Sequence, residues 1–201
     1  HHIFPAMLDG GDRLHAYQWD GYWEDVGTIR AYFDSHLDLI ANESRLDLKA
    51  WGVRTNLDEA RDGDRPPVFV QRGAVLERSL VGRGSRIEGA VTSSILSPGV
   101  VVESGAHVHR SIVMQDCRIR AGARLENVIL DKEVTVGEGV SIGIEGDDRI
   151  SERFPSHLDS GITLIGKGAR LGEGIVIGKN VVVSPQEVIS RLDRSRIESG
   201  D

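Results

Sequence analysis

The chain has 201 residues, enough for one large domain or two small ones with a buried core. Hydrophobic residues make up 39% of it and charged residues 27%, a composition typical of a folded chain and not of a disordered one. The 31 acidic residues outnumber the 24 basic residues, and the formal net charge of −7 argues against nucleic acid as the main partner.

The apolar runs are only a few residues long, so we expect no segment that crosses a membrane. Cys117 is the only cysteine, which excludes an internal disulfide and a cysteine-rich metal site. A cytoplasmic location is therefore expected, with Cys117 packed as a small apolar side chain. The chain starts at His1 without a methionine, and we expect it to be part of a longer protein.

Residues 16–28 combine the features of a strand, a turn and a helix start. Residues 16–19 alternate as a strand does, and Asp20-Gly21 is a turn signal. Thr28 is a good helix N-cap. The residues after it predict an amphipathic helix of about 16 residues, whose apolar positions are Ile29, Tyr32, Phe33, Leu37 and Ile40.

Asp25 lies in the predicted loop before this helix, a place where proteins often hold ligands. A carboxylate beside an anionic ligand needs a cation between them, and carboxylate and phosphate oxygens together suit Mg²⁺. Asp25 is therefore a candidate metal ligand. The alternative is a carboxylate that only stabilises the turn, and the residue pattern leaves both open.

The composition changes near residue 62. All three tryptophans precede this point, whereas most of the 24 glycines follow it. The sequence between the two parts is rich in turn-forming residues and suits a linker. We expect a first unit, a linker, a repetitive unit and a tail containing a short helix, at residues 1–62, 63–74, 75–184 and 185–201.

From residue 75 onward, aliphatic residues recur every five or six positions, separated by glycine and small polar residues. Neither a helix nor a simple alternating strand has this spacing. A prism of short parallel strands does, because each face contributes one inward aliphatic side chain and three faces complete a coil. The residues expected to point inward are Val81, Ile87, Leu96, Val102, Val108, Val113, Ile119, Leu125, Leu130, Val136, Ile142, Ile165, Leu171, Ile177 and Val183.

The predicted fold is thus mainly β. The pattern resembles the left-handed parallel β-helix of hexapeptide-repeat proteins, and the left hand is an implication of that resemblance. A β-sandwich is the alternative, but sandwich strands recur at about 8–12 residues. The rhythm stops between Ile142 and Ile165, which predicts a loop insertion at 143–161.

The segment Gly21–Ile29 closely resembles the end of the catalytic domain in the glucose-1-phosphate adenylyltransferase family. Other segments match the family in the same order, and together they cover nearly all of residues 3–183. These segments are Ile3–Leu8 (a preceding helix), Pro66-Pro67 (the linker), Ser79–Val81 and Ser94–Val100 (the β-helix), and Ser160–Ile162 followed by Lys167 (the C-terminal effector region).

The resemblance implies that residues 1–62 end an α/β, Rossmann-like nucleotidyltransferase domain. Enzymes of this family are tetramers that convert ATP and glucose 1-phosphate into ADP-glucose and pyrophosphate with Mg²⁺, for glycogen or starch synthesis. Asp25 then corresponds to one of two carboxylates that hold the metal. The family's Gly-rich nucleotide loop, first metal-binding Asp and sugar-phosphate Lys have no counterpart here. We therefore expect the complete protein to be the enzyme and these 201 residues alone to be inactive.

The same resemblance matches Lys167 to a lysine that receives phosphorylated activators. We expect the insertion to bring Arg149 and Arg153 near Lys167, so that the three form an allosteric site for an anionic sugar phosphate or a related effector. The alternative is a solvated insertion whose own acidic residues neutralise the two arginines.

Two other functions explain part of the sequence. Hexapeptide β-helices also serve as CoA-dependent acyltransferases with a histidine general base, for which His107 and His109 are candidates. The simpler interpretation of both is an exposed, solvated imidazole, and an acyltransferase has no use for Gly21–Ile29. A non-catalytic regulatory or assembly subunit is the other alternative.

Overall fold

The structure, a computed structural model, describes residues 2–41, 46–53 and 65–201. Within these ranges, helices α1 (Ile3–Asp9) and α2 (Ile29–Asp38) precede 20 short strands. Neither helix of the described ranges has the length and hydrophobicity that a membrane span needs. All of the strand pairs are parallel.

The strands form three parallel sheets. The first sheet contains β1 (Phe69–Val70), β4 (Arg86–Ile87), β7 (Val101–Val102), β10 (Arg118–Ile119), β13 (Thr135–Val136), β16 (Arg170–Leu171) and β19 (Val188–Ile189). The second contains β2 (Val75–Glu77), β5 (Ala90–Thr92), β8 (His107–His109), β11 (Arg124–Glu126), β14 (Ser141–Ile142), β17 (Val176–Ile177) and β20 (Arg196–Ile197). The third contains β3 (Leu80–Val81), β6 (Ile95–Leu96), β9 (Ile112–Val113), β12 (Val128–Leu130), β15 (Thr163–Ile165) and β18 (Val182–Val183).

Each coil visits the three sheets in turn, so every strand pairs with the strand three places along the chain. Ile119, for example, lies in register between Val102 below and Val136 above. The expected prism of short parallel strands is therefore confirmed as a β-solenoid. Its hand stays a prediction from the resemblance.

The core is a column of aliphatic side chains inside the solenoid. Of the residues expected to point inward, all but Val81 are buried members of one cluster, and Val81, in the first coil, is partly buried and packs against it. Removing such a side chain from water stabilises the fold by about 1.5–3 kcal/mol. The six-residue spacing in the sequence is thus the spacing of the faces of this core.

The solenoid is longer than the sequence predicted. Strand β1 lies within the predicted linker, and β19 and β20 lie within the predicted tail, where a short helix was expected. The reason is that the six-residue rhythm continues from Val183 to Ile189, which is only 5% exposed and pairs with Leu171. A residue with this register belongs to the core and not to a separate helix.

Helix α2 packs against the outer face of the third sheet. Phe33 is only 1% exposed and lies among Ile112, Ile129 and Ile162, with Leu37 at the edge of the cluster. The amphipathic helix is confirmed but shorter than predicted, because the hydrogen bonds from Leu39 and Ile40 reach back three residues and form a tight turn. Part of the predicted helix falls at 42–45, outside the described residues.

The segment before α2 has little packing of its own. Residues 16–19 are not a strand, contrary to the prediction, because alternation forms a strand only where a neighbouring strand supplies hydrogen bonds, and the described part of the chain offers none here. Helix α1 buries no side chain.

Arg65 fastens the chain to the solenoid. Its side chain runs along the corner between the third and first sheets, over Gly84 and Gly99. Its nitrogens Nη1 and Nη2 donate to both carboxylate oxygens of Asp116 at 2.7 and 2.9 Å, a paired geometry that fixes orientation. A Cβ at Gly99, whose φ is +77°, would meet the ends of both side chains of this ion pair, so a larger residue there would displace the pair.

We expect Phe33→Ala to release α2 from the solenoid without unfolding the solenoid. Truncating a buried phenylalanine costs about 3–5 kcal/mol, and a helix this short is marginal without tertiary packing. Amide hydrogen exchange should therefore show lost protection in α2 and retained protection in the strands. Tyr17→Ala, at a side chain that is 85% exposed, is the control. Unchanged protection of α2 in the Phe33 variant would contradict this packing.

Candidate functional site

Asp25 lies on an exposed loop that leads into α2. Its Oδ1 accepts a hydrogen bond from the Gly27 N–H at 3.1 Å, so the carboxylate does stabilise the turn. Thr28 caps the helix as predicted, with Oγ1 accepting from the Ala31 N–H at 3.0 Å. Oδ2 of Asp25 accepts no hydrogen bond from the described part of the chain. The turn role and a ligand role are therefore compatible in the same side chain.

Tyr22 holds this loop against α2. Its hydroxyl donates to Oδ2 of Asp38, the last residue of the helix, at 3.1 Å. Burial, and then this hydrogen bond, raise the pKa of Tyr22, so the phenol stays protonated and remains a donor at neutral pH. The Tyr22 ring also lies 6.5 Å from that of Trp51. The loop that carries Asp25 is thus tied at one end to the helix start and at the other to the helix end.

The residues around Asp25 fit Mg²⁺ only as a shared site. No group of three or more His, Cys, Asp or Glu side chains able to hold a metal occurs in the described ranges. Mg²⁺ does not require such a cage, because it usually takes one or two carboxylates and completes its shell with substrate phosphates and water. The free oxygen of Asp25 suits one position in that shell.

The insertion between β14 and β15 is held at the corner between the second and third sheets. Asn180 binds it at two points, since Nδ2 donates to the Arg149 carbonyl at 2.9 Å and Oδ1 accepts from the Gly161 N–H at 2.7 Å. The Arg149 side chain pairs with Asp147 at 3.1 Å. The Arg153 guanidinium carbon lies 5.1 Å from the centroid of its neighbour Phe154.

Lys167 lies at a different corner, between the third and first sheets, in the turn that joins β15 to β16. The expected proximity of Arg149 to Lys167 is not found, because the third sheet lies between the two corners. The basic neighbour of Lys167 is instead Lys132, one coil below, whose carbonyl accepts from the Gly168 N–H at 2.8 Å. Both lysine side chains are exposed.

Sequence reasoning missed Lys132 and Asn180. The signal for Lys132 was its position relative to the repeat, since it follows Leu130 at the same interval at which Lys167 follows Ile165. Asn180 had no such signal, because its role depends on an insertion whose path the repeat does not specify.

The surroundings of His107, His109 and Cys117 do not indicate a catalytic role. His107 and His109 are exposed on the outer face of the second sheet, and the Nδ1 atom of His109 lies 2.8 Å from Thr92 Oγ1. Cys117 is fully buried and donates its S–H to the Asp131 carbonyl at 2.9 Å. Burial raises the pKa of this thiol to about 12, so it remains neutral and packs as expected.

Known proteins resemble this chain in two ways. The family described as GlmU-like, C-terminal hexapeptide, matches residues 67–165. The curated glucose-1-phosphate adenylyltransferase of Acetivibrio thermocellus is 38% identical over 199 residues, which are 98% of this chain and 45% of that protein.

Curated proteins of the same name from Bacillus thuringiensis strain Al Hakam and from Bacillus anthracis are each 34% identical over 142 residues, or 70% of this chain and 36% of theirs. The chain therefore spans less than half the length of these curated relatives. The solenoid, the capped helix and the order of the motifs agree with this match, and the chain belongs, as their C-terminal part, with the glucose-1-phosphate adenylyltransferases.

Proposed function

We propose that this chain is the C-terminal portion of an enzyme that forms ADP-glucose and pyrophosphate from ATP and glucose 1-phosphate, for glycogen or starch synthesis. The observation that carries the proposal is the match along 98% of the chain, which includes the Asp25 loop as well as the repeats. A solenoid that served only for assembly has no need of this loop.

The part of the reaction assigned to this chain is metal binding and positioning. Asp25 would offer Oδ2 to Mg²⁺, while Oδ1 keeps the turn in place through Gly27. When bound, Mg²⁺ would neutralise negative charge on the phosphates of the substrate. Thr28 and Tyr22 hold the loop at both ends, so the carboxylate is positioned before substrate binds.

The exposed apolar side chains in the segment before α2 support a larger catalytic domain. Ile3, Phe4, Trp19 and Trp23 are 64–74% exposed. Several large, exposed apolar side chains within one short segment are typical of a chain that packs against another surface. We propose that they pack against the remaining catalytic part of the protein, and that the chain described here is inactive without it.

In the complete enzyme, Asp25→Asn should retain the fold and lower kcat on the order of 10²-fold or more, since the amide oxygen is a weaker ligand for Mg²⁺. Steady-state assays of ADP-glucose formation over a range of Mg²⁺ concentrations measure this. Glu24→Gln, which removes the neighbouring charge, is the matched control and should remain close to wild type. Turnover like the wild type in Asp25→Asn at saturating Mg²⁺ would remove the residue from the metal site.

We also propose a homotetramer whose subunits meet through the solenoid. The first coil carries exposed apolar side chains on its outer strands, including Phe69 at 50% and Val75 at 47% exposure. In the described part of the chain each of its strands is the end strand of its sheet, and an open strand edge favours association. Light scattering on the complete protein should give a mass near four subunits. A monomer at micromolar concentration would contradict the assignment.

We propose that the effector site lies at the edge that carries Lys132 and Lys167, away from the active site. Lys167→Ala should raise the concentration of a phosphorylated activator needed for half-maximal effect about tenfold, by loss of a charge-assisted contact, with little change in unactivated turnover. Arg149→Gln is the control, and it should leave the activator response intact. An unaltered response in Lys167→Ala, or an equal loss in both variants, would place the site elsewhere.

A further inference from the structure

A small basic pocket lies where α2 meets the corner between the second and third sheets. Its volume is about 260 Å³. None of the described residues that line it carries a carboxylate. They are Leu37, Ile40, Arg78, Ser93, His109 and Arg110.

The solenoid wall of this pocket is rigid because a ladder of serines runs along the corner. Ser79 Oγ accepts from the Ser94 N–H at 3.1 Å, and Ser94 Oγ accepts from the Ser111 N–H at 3.0 Å. Each of these hydroxyls also donates to the carbonyl two residues before it, at 2.7–2.8 Å. Arg78, Ser93 and Arg110 each directly precede one of these serines. Their backbone positions are therefore fixed, each one coil above the one before it.

The backbone at this corner adopts a left-handed conformation that raises the free energy of any residue other than glycine. Arg78, Ser93 and Arg110 adopt left-handed φ values of 45°, 49° and 42°. A residue with a Cβ pays about 1–2 kcal/mol for this conformation. In later coils the same corner position is held by Asn127 and Asn180, a residue type that adopts it more readily. Arginine, which adopts this conformation less readily than asparagine, occupies two of these positions, and both side chains line the pocket.

The two guanidinium groups are available to a ligand. Adjacent coils are about 4.8 Å apart, so Arg78 and Arg110 stand above and below Ser93 on one edge. Arg78 has no ion pair or hydrogen bond in the described part of the chain. Arg110 uses only Nε, which donates to Asn127 Oδ1 at 3.1 Å, and its guanidinium carbon lies 6.0 Å from the ring centroid of Phe33.

Neither Arg78 nor Arg110 forms an ion pair with an acidic residue in the described part of the chain. Glu126 pairs in register with His109, but it lines the adjoining cleft on the outer face of the second sheet, together with His107 and Arg124. Arg78 and Arg110 lie two coils apart, about 9.6 Å along the solenoid, and an anion between their guanidinium groups is attracted to both. The apolar wall, from Leu37 and Ile40, suits a carbon body attached to the anion.

We propose that this pocket binds a phosphate monoester. The phosphate lies between the guanidinium groups of Arg78 and Arg110, with the Ser93 hydroxyl as a further partner, and the carbon body contacts Ile40. Guanidinium groups match the oxygens of phosphate in planar, paired contacts. The inference does not depend on the reaction proposed above.

The test is calorimetric titration of the complete protein with phenyl phosphate and, separately, with inorganic phosphate. The wild-type protein should bind both, and it should bind the ester more tightly. Arg78→Gln should weaken both by about tenfold or more, the loss expected for one charge-assisted contact. Arg72→Gln is the matched control, since Arg72 is an exposed arginine of the same coil that does not line the pocket.

A second variant separates the two parts of the site. Ile40→Ser should weaken phenyl phosphate and leave inorganic phosphate unchanged, because only the ester contacts the apolar wall. The absence of saturable binding to the wild-type protein at millimolar ligand would overturn the proposal. Equal losses in Arg72→Gln and Arg78→Gln would also overturn it, because binding would then follow net charge and not the pocket.

Discussion

Every part of this protein depends on the stacking of one coil on the next. The hydrogen bonds of the sheets run only between coils, so each strand must lie directly over its predecessor. The coils nevertheless differ in length. Arg86 pairs with Val101, 15 residues later, whereas Val101 pairs with Arg118, 17 residues later. The difference has to be absorbed at the corners, which is why left-handed backbone and insertions are found there.

This constraint explains which features the sequence could predict. One aliphatic side chain per face produces a period of about six residues, and most of the inward residues were identified from it. Val91 and Ile197 belong to the core but were not named. Ile189 was missed because the corner before it, with Pro185 and Gln186, was interpreted as the start of a tail. Two features were not predicted: residues 16–19 form no strand, and α2 ends early. Both depend on contacts with other parts of the chain, and the pattern of apolar residues within one segment carries no information about such contacts.

The position of Arg149 relative to Lys167 illustrates the same limit. Sequence proximity and shared charge suggested one site, but a solenoid sorts residues by corner. The insertion leaves after a strand of the second sheet, and Lys167 follows a strand of the third. The sheet of the preceding strand, and not the distance in sequence, therefore shows that Arg149 and Lys167 lie at different corners. Asp25 was located correctly within its loop because the helix cap at Thr28 is a local signal.

Helix α2 connects the loop to the solenoid. Tyr22 joins the Asp25 loop to Asp38 at the helix end, and Phe33 anchors the helix on the third sheet. Asp25 is therefore held at a defined distance from the repeats by contacts that the chain itself provides. Any force that shifts α2 on the sheet also shifts the carboxylate.

The third sheet is bordered by two basic edges. One carries Arg78 and Arg110, and the other carries Lys132 and Lys167. Helix α2 covers the face between them. Because corners tolerate substitution and insertion while faces must stack, charged residues that bind ligands can accumulate at the corners without disturbing the core. An anion at the arginine edge would touch the helix directly, through the wall formed by Leu37 and Ile40. An anion at the lysine edge would reach it only through the sheet. An anion bound at the arginine edge would therefore influence the Asp25 loop more directly than an anion bound at the lysine edge.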